Sequence, residues 1–154
     1  ARSRVSRIMR SAELVVMSLG VAGAYDCCWC DKATPKDAYT ITHNKQSMQL
    51  IFSDEFNSND RNFVNGHDTK WTALEVGDTS NQGSAFYLPE QAFIGADPKY
   101  KDVSALIIKT ENKSHVGDSP TGEKGIAMPY RSAMLQTWNK FCFTGGVVEF
   151  RARM

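Results

Sequence analysis

Beyond residue 40 the helical spacing of apolar residues is sparse, and period-two and short-run patterns dominate. Val148, Phe150, Ala152 and Met154 alternate with Glu149, Arg151 and Arg153, the pattern of a half-buried strand. Residues 130–143 read as a long extended stretch. Tyr130, Ser132, Met134, Gln136 and Trp138 would share one face, and Arg131, Ala133, Leu135 and Thr137 the other. Residues 49–53 form an apolar run suited to a buried strand, and residues 70–74 predict another short one. Residues 103–110 carry apolar groups on both faces and predict a central strand. Turn chemistry separates these runs: an Asn/Asp/Ser-rich stretch ending in Asn65-Gly66, residues 76–84, residues 111–125 as an exposed loop or hairpin tip, and Thr144-Gly145-Gly146. Short strands between turns predict an all-β protein, a sandwich or a barrel. A strand running to Met154 lacks a following partner, so we expect the chain to be a piece of a longer protein with more strands beyond it.

The first 24 residues have a different character. Arg2, Arg4, Arg7 and Arg10 against Glu13 give them a net charge of +3, while the other residues hold 14 basic and 16 acidic side chains, a net of −2. An apolar run from Leu14 follows the basic stretch and ends in Ala22-Gly23-Ala24. A basic flank, a short apolar run and small residues are the parts of a secretory leader. A truncated membrane anchor and an ordinary amphipathic helix fit the same residues, and all three readings stay open. No apolar run reaches the roughly 18–20 residues that cross a bilayer. The expected organisation is therefore a signal or anchor remnant over 1–24, a cysteine-containing linker over 25–46, and the first part of a β-domain over 47–154.

The 154 residues are 42% hydrophobic and 23% charged, which marks a globular chain. With 18 basic and 17 acidic side chains, nothing in the charge favours nucleic acid. Cys27, Cys28, Cys30 and Cys142 allow three fully paired connectivities. Disulfides, free buried thiols and a metal site are the readings open to them. The adjacency of Cys27 and Cys28, and the isolation of His43, His67 and His115, argue against zinc.

Several segments resemble one family. Residues 50–57 (Leu-Ile-Phe-Ser-Asp-Glu-Phe-Asn) are similar to the opening strand of glycoside hydrolase family 16 domains. Residues 130–146 (Tyr-Arg-Ser-Ala-Met-Leu-Gln-Thr-Trp-Asn-Lys-Phe-Cys-Phe-Thr-Gly-Gly) closely resemble a signature of the β-glucan synthesis-associated proteins of fungi and algae. Residues 34–40 resemble the segment before the sandwich in these proteins, and Asp68-Thr69-Lys70-Trp71 the acidic-x-x-Trp start of the next strand. The resemblance implies an antiparallel jelly-roll β-sandwich of the laminarinase type, here incomplete at its C-terminal side and preceded by a short helical, signal or anchor segment. It implies β-glucan synthesis or remodelling by a glycosidase- or transglycosylase-like protein of the cell wall or of storage glucan. A non-catalytic glucan-binding assembly factor and a secreted β-1,3-glucanase are the alternatives. The family's Asn is matched by Asn81, whereas the Glu of its Leu-Glu-Trp-Tyr has no counterpart at Ser84 or Ala85.

Retaining glycosidases use two carboxylates about 5–5.5 Å apart. In family 16 they come from Glu-x-Asp-x-x-Glu, a pattern absent from this chain, so no catalytic residue is assigned and the pair is expected beyond Met154. Asp54 and Glu55 are neighbours on a predicted strand and point to opposite faces, which suits structural roles. The candidate sugar-binding residues are Trp138, Arg131, Asn81 and Tyr130. Trp138 would either stack on a glucose ring or fill the core. Arg131 would either donate to sugar hydroxyls or pair with Glu149. Trp71 suits the core. Asn112-Lys113-Ser114 is an N-glycosylation sequon in a polar loop. We expect β-glucan as partner, a membrane through an upstream anchor, no nucleic acid and no cofactor. The expected location is the secretory pathway: a membrane of the endoplasmic reticulum, Golgi or cell surface, or secretion.

Overall fold

The computed structural model describes residues 14–19, 27–77, 83–97, 99–119 and 122–153. Among them lie thirteen strands: β1 Leu14–Leu19, β2 Thr40–His43, β3 Gln46–Asp54, β4 Thr72–Ala73, β5 Val76–Gly77, β6 Ala85–Tyr87, β7 Ala92–Ala96, β8 Ser104–Ile108, β9 His115–Gly117, β10 Ile126–Met128, β11 Tyr130–Ser132, β12 Leu135–Gln136 and β13 Val147–Phe150. The other regular elements described are single 3₁₀ turns at Lys36–Ala38, Val64–Gly66 and Pro89–Gln91. The protein is all-β, with mostly antiparallel pairing. It divides into two compact units.

The first unit comprises residues 1–57, 96–105 and 143–154. Its frame is a four-stranded sheet in the order β13-β1-β3-β2. The run predicted at 49–53 is the middle of β3, which extends to nine residues. β2 turns into β3 through Asn44 and Lys45, both at positive φ (50° and 65°), the backbone of a two-residue hairpin turn whose twist matches the strands. Where the pattern left a leader, an anchor or a helix open, the backbone of Leu14–Leu19 is extended and paired on both sides. A bulge between Val16 and Met17 sets these consecutive residues opposite Phe52 and Leu50, which are two apart on β3. Val16 and Met17 are therefore both buried, although alternation would expose one of them. Met17, Met48 and Leu50 form the core, covered by Tyr39, Ile41 and Val147.

β13 keeps the predicted alternation, but its burial is reversed. Val147 packs on the core, while Val148 and Phe150 face outward, Phe150 at 69% exposure. The antiparallel register that sets Val147 opposite Met17 dictates this choice of face.

The second unit comprises residues 58–95 and 106–142. Apart from its shares of the five-residue β7 and β8, its strands are two or three residues long, in the groups β11-β6-β5, β12-β4 and β10-β9. β11 runs parallel to β6. One core gathers Phe63, Ala73, Ala92 and Ala133, with Trp71, Ile94, Leu106 and Leu135 packed against it. A smaller one holds Phe86, Leu88 and Met128. The Phe86 ring fills space that only glycine leaves. A Cβ on Gly77 would stand 3.1 Å from Phe86 Cε2, and one on Gly117 would overlap the ring.

Two predicted strands differ. Residues 103–110 were expected to be central, yet β8 pairs with β7 alone among the described strands, and Ile108 is 52% exposed. The stretch 130–143 is two short strands, β11 and β12, and then a turn, for reasons that lie in the site described next. Residues 111–125 contain β9 and lead into β10, so they include a hairpin tip as expected.

Candidate carbohydrate-binding site

β12 pairs with β4, and Leu74 N–H donates to the Met134 carbonyl at 2.9 Å beside the pair. The chain then turns back on itself. The N–H groups of Lys140 and Phe141 both donate to the Thr137 carbonyl, at 3.0 and 3.1 Å. Asn139 takes the left-handed φ of 59° that this turn needs, a conformation asparagine tolerates better than most residues. Trp138 sits on this turn and is 76% exposed. Among the described residues the indole is presented to solvent.

The turn is tied down by Lys140. Its ammonium donates to the carbonyls of Gly66 (3.3 Å), Asp68 and Trp71 (2.6 Å). An ammonium has three N–H donors, so all of them find acceptors on one loop. That loop is organised by Asp68. Asp68 Oδ1 accepts the backbone N–H groups of Lys70 (2.9 Å) and Trp71 (2.8 Å), and the two carboxylate oxygens accept the Arg61 fork, Nε at 2.8 Å and Nη2 at 3.0 Å. Burial works against the Asp68 charge, but the bonds from Arg61, Trp71 and Lys70 and the Arg61 charge outweigh it and lower the pKa below the ordinary 3.8. The Arg61 guanidinium also lies 5.2 Å from the Phe63 ring centre, over the core. The acidic-x-x-Trp spacing thus has a local physical meaning: one carboxylate closes the turn by accepting the second and third N–H groups after it.

Tyr130 and Arg131 lie on β11, in a different strand group from the Trp138 turn. Tyr130 is 41% exposed. Arg131 exchanges backbone hydrogen bonds with Glu111, and its guanidinium donates to the Ser114 carbonyl at 3.0 and 3.3 Å. The Ser132 and Thr110 hydroxyls are 3.0 Å apart beside it. Glu111 takes bonds from Lys109 and Gln91, which lower its pKa. The fourth sequence candidate, Asn81, lies outside the described residues.

Asp54 and Glu55 have structural partners. Asp54 is fully buried and accepts the N–H of Phe56, which holds a left-handed φ of 49°. Glu55 accepts the Thr34 hydroxyl at 2.7 Å, and its own N–H donates to Asp31. Asp97, also buried, accepts the N–H groups of Lys99 and Tyr100 and the Arg153 guanidinium. Cys27 and Cys30 are joined as a disulfide, and Cys28 and Cys142 are exposed. Trp71 is half-buried against the larger core. Asn112 is exposed, in the bend that follows the Glu111–Arg131 bridge. Sequence reasoning singled out Trp138, Tyr130 and Arg131 and missed Lys140, Asp68 and Arg61 as the parts that fix the Trp138 turn. The Asp68-x-x-Trp71 spacing was the one available signal.

Residues 19–154 match the family model described as "Beta-glucan synthesis-associated protein SKN1/KRE6/Sbg1". The chain is 30% identical over 125 residues to the β-glucan synthesis-associated protein SKN1 of Saccharomyces cerevisiae and 32% identical to KRE6 of the same yeast. It is 30% identical to SKN1 of Candida albicans. Each match covers 80% of this chain but only 14–15% of the relative's length. No solved structure matches the chain.

Proposed function

The chain belongs to the β-glucan synthesis-associated protein family, and from that membership we propose that it serves β-glucan synthesis or remodelling by holding a glucan chain on Trp138. The exposed indole on a braced turn is the observation that carries this reading. β-Linked glucose rings have equatorial hydroxyls and present flat C–H faces, which pack on an aromatic ring with its apolar face and polar edge. A turn held still loses little backbone freedom when the sugar arrives, which favours binding. Tyr130 is a second exposed aromatic, on β11.

In this reading the residues of this chain supply glucan contact. The buried carboxylates Asp54, Glu55, Asp68 and Asp97 are each engaged by backbone or side-chain donors, as structural groups are. That favours a binding role for these residues, as in a non-catalytic assembly factor. In a glycosidase- or transglycosylase-like protein of family 16 type they would form the substrate-holding part. The protein would work in the secretory pathway or at the cell surface, with Asn112 carrying an N-glycan. Calorimetric titration with a panel of soluble β-glucan oligosaccharides of differing linkage tests the reading. Binding is expected, weakened about tenfold in Trp138→Ala. Absence of binding to every member of the panel would overturn it. For Asn112, expression in a secretory host should give a glycan mass that disappears in Asn112→Gln, and an unmodified wild-type chain would remove the glycan from the reading.

A further inference from the structure

The geometry points to Lys140 as the positioning residue of the Trp138 platform, an inference that rests on the glucan-binding reading of Trp138. Lys140 lies two residues after Trp138 in the same turn, and its N–H helps to close that turn on Thr137. Its ammonium is bonded to three carbonyls of a loop 69 to 74 residues away in sequence. That loop is itself locked by Asp68 through Arg61 and two backbone N–H groups. The order of support runs from Arg61 to Asp68, from Asp68 to the carbonyls, from the carbonyls to Lys140, and from Lys140 to the turn that carries the indole. Lys140 makes its contacts with protein carbonyls, so its effect on a sugar passes through Trp138. Gly66, a contributor to the carbonyl set, holds a φ of 75° that glycine adopts freely, and a Cβ there would stand 3.9 Å from the ammonium. The carbonyl cage is thus shaped for a cation with several N–H donors, and the planar fork of arginine would fit it less well.

Lys140→Met keeps the stem and deletes the ammonium, and Lys140→Arg keeps a charged donor. Both variants, with Trp138→Ala, are to be made in the full 154-residue chain and labelled with 5-fluorotryptophan. The chain has three tryptophans, and loss of one fluorine resonance in Trp138→Phe identifies the signal of interest. We expect Lys140→Met to shift and broaden the Trp138 resonance, to leave the Trp29 resonance and the circular dichroism unchanged, and to weaken binding of soluble β-glucan oligosaccharides about tenfold. Lys140→Arg should fall between it and the wild type. Wild-type affinity and an unmoved Trp138 resonance in Lys140→Met, beside weakened binding in Trp138→Ala, would overturn the positioning role and leave the glucan reading intact. Wild-type affinity in Trp138→Ala would overturn the glucan reading and this inference with it. Loss of β circular dichroism in both Lys140 variants would mark Lys140 as a folding residue and overturn its positioning role.

Discussion

The two units of this protein reach order by different means. The first rests on a ladder: β3 is nine residues long, pairs on both edges, and lays Leu50 and Met48 on a small apolar core. In the second, every strand apart from the β7–β8 pair has two or three residues, too short to hold one another by ladder bonds alone. Its frame is completed by side chains that satisfy backbone groups, with Asp68 taking two N–H groups and Lys140 three carbonyls. A ladder fixes a run of residues together. A side-chain brace fixes one point and leaves its neighbours free to take functional shapes. The exposed Trp138 belongs to the braced unit.

Four measurements bear on that contrast, the largest effect first. Leu50→Ala empties the centre of the ladder unit's core and should cost about 2–5 kcal/mol in denaturant unfolding. Amide exchange should quicken along β1 and β3, and a loss under about 1 kcal/mol would mean that the core is not what holds the sheet. Asp68→Ala strips the braced unit of its organiser, removes the acceptor of the Arg61 fork and of two N–H groups, and should cost about 3 kcal/mol. Exchange at Lys70 and Trp71 should quicken, and unchanged exchange there would break the distinction between the units. Opening the Cys27–Cys30 disulfide with reductant, or by Cys27→Ser, should cost up to about 2 kcal/mol, because so short a loop restricts the unfolded chain little. Equal melting with and without reductant would show that the 27–30 turn is held by other bonds.

The pH response is the finest of the four. Asp68 has a folded-state pKa below its unfolded value of 3.8. Its contribution to stability is fully present above that value and is lost as pH falls below it through the folded-state pKa. Denaturant midpoints measured between pH 5 and pH 2 should therefore fall less steeply in Asp68→Asn than in the wild type. Parallel curves would remove Asp68 as the acid-sensitive brace.

Much of the ladder unit was legible in the sequence. The 49–53 run and the 148–154 alternation are local signals; the first became the middle of β3, and the second became a strand that stops at Phe150. Leu14–Leu19 was legible as apolar but not as a strand, because its pairing partners lie far along the chain at β3 and β13. The braced unit was less legible for the same reason. The pattern at 130–143 is compatible with one ribbon, and nothing near Lys140 announces that its ammonium finds carbonyls about seventy residues upstream. Trp138 could be singled out because a flat aromatic face suits a glucose ring. Whether it pointed inward or outward depended on the turn, and the turn depended on that distant contact.

The Phe86 ring, seated against the bare backbones of Gly77 and Gly117, sets a rule for how this sequence can vary through evolution. A methyl group gained at residue 117 must be matched by a smaller residue at 86, so the two sites should change in concert across relatives and seldom singly. Drift at one of them without the other would mark a lineage in which this part of the interior has been rebuilt.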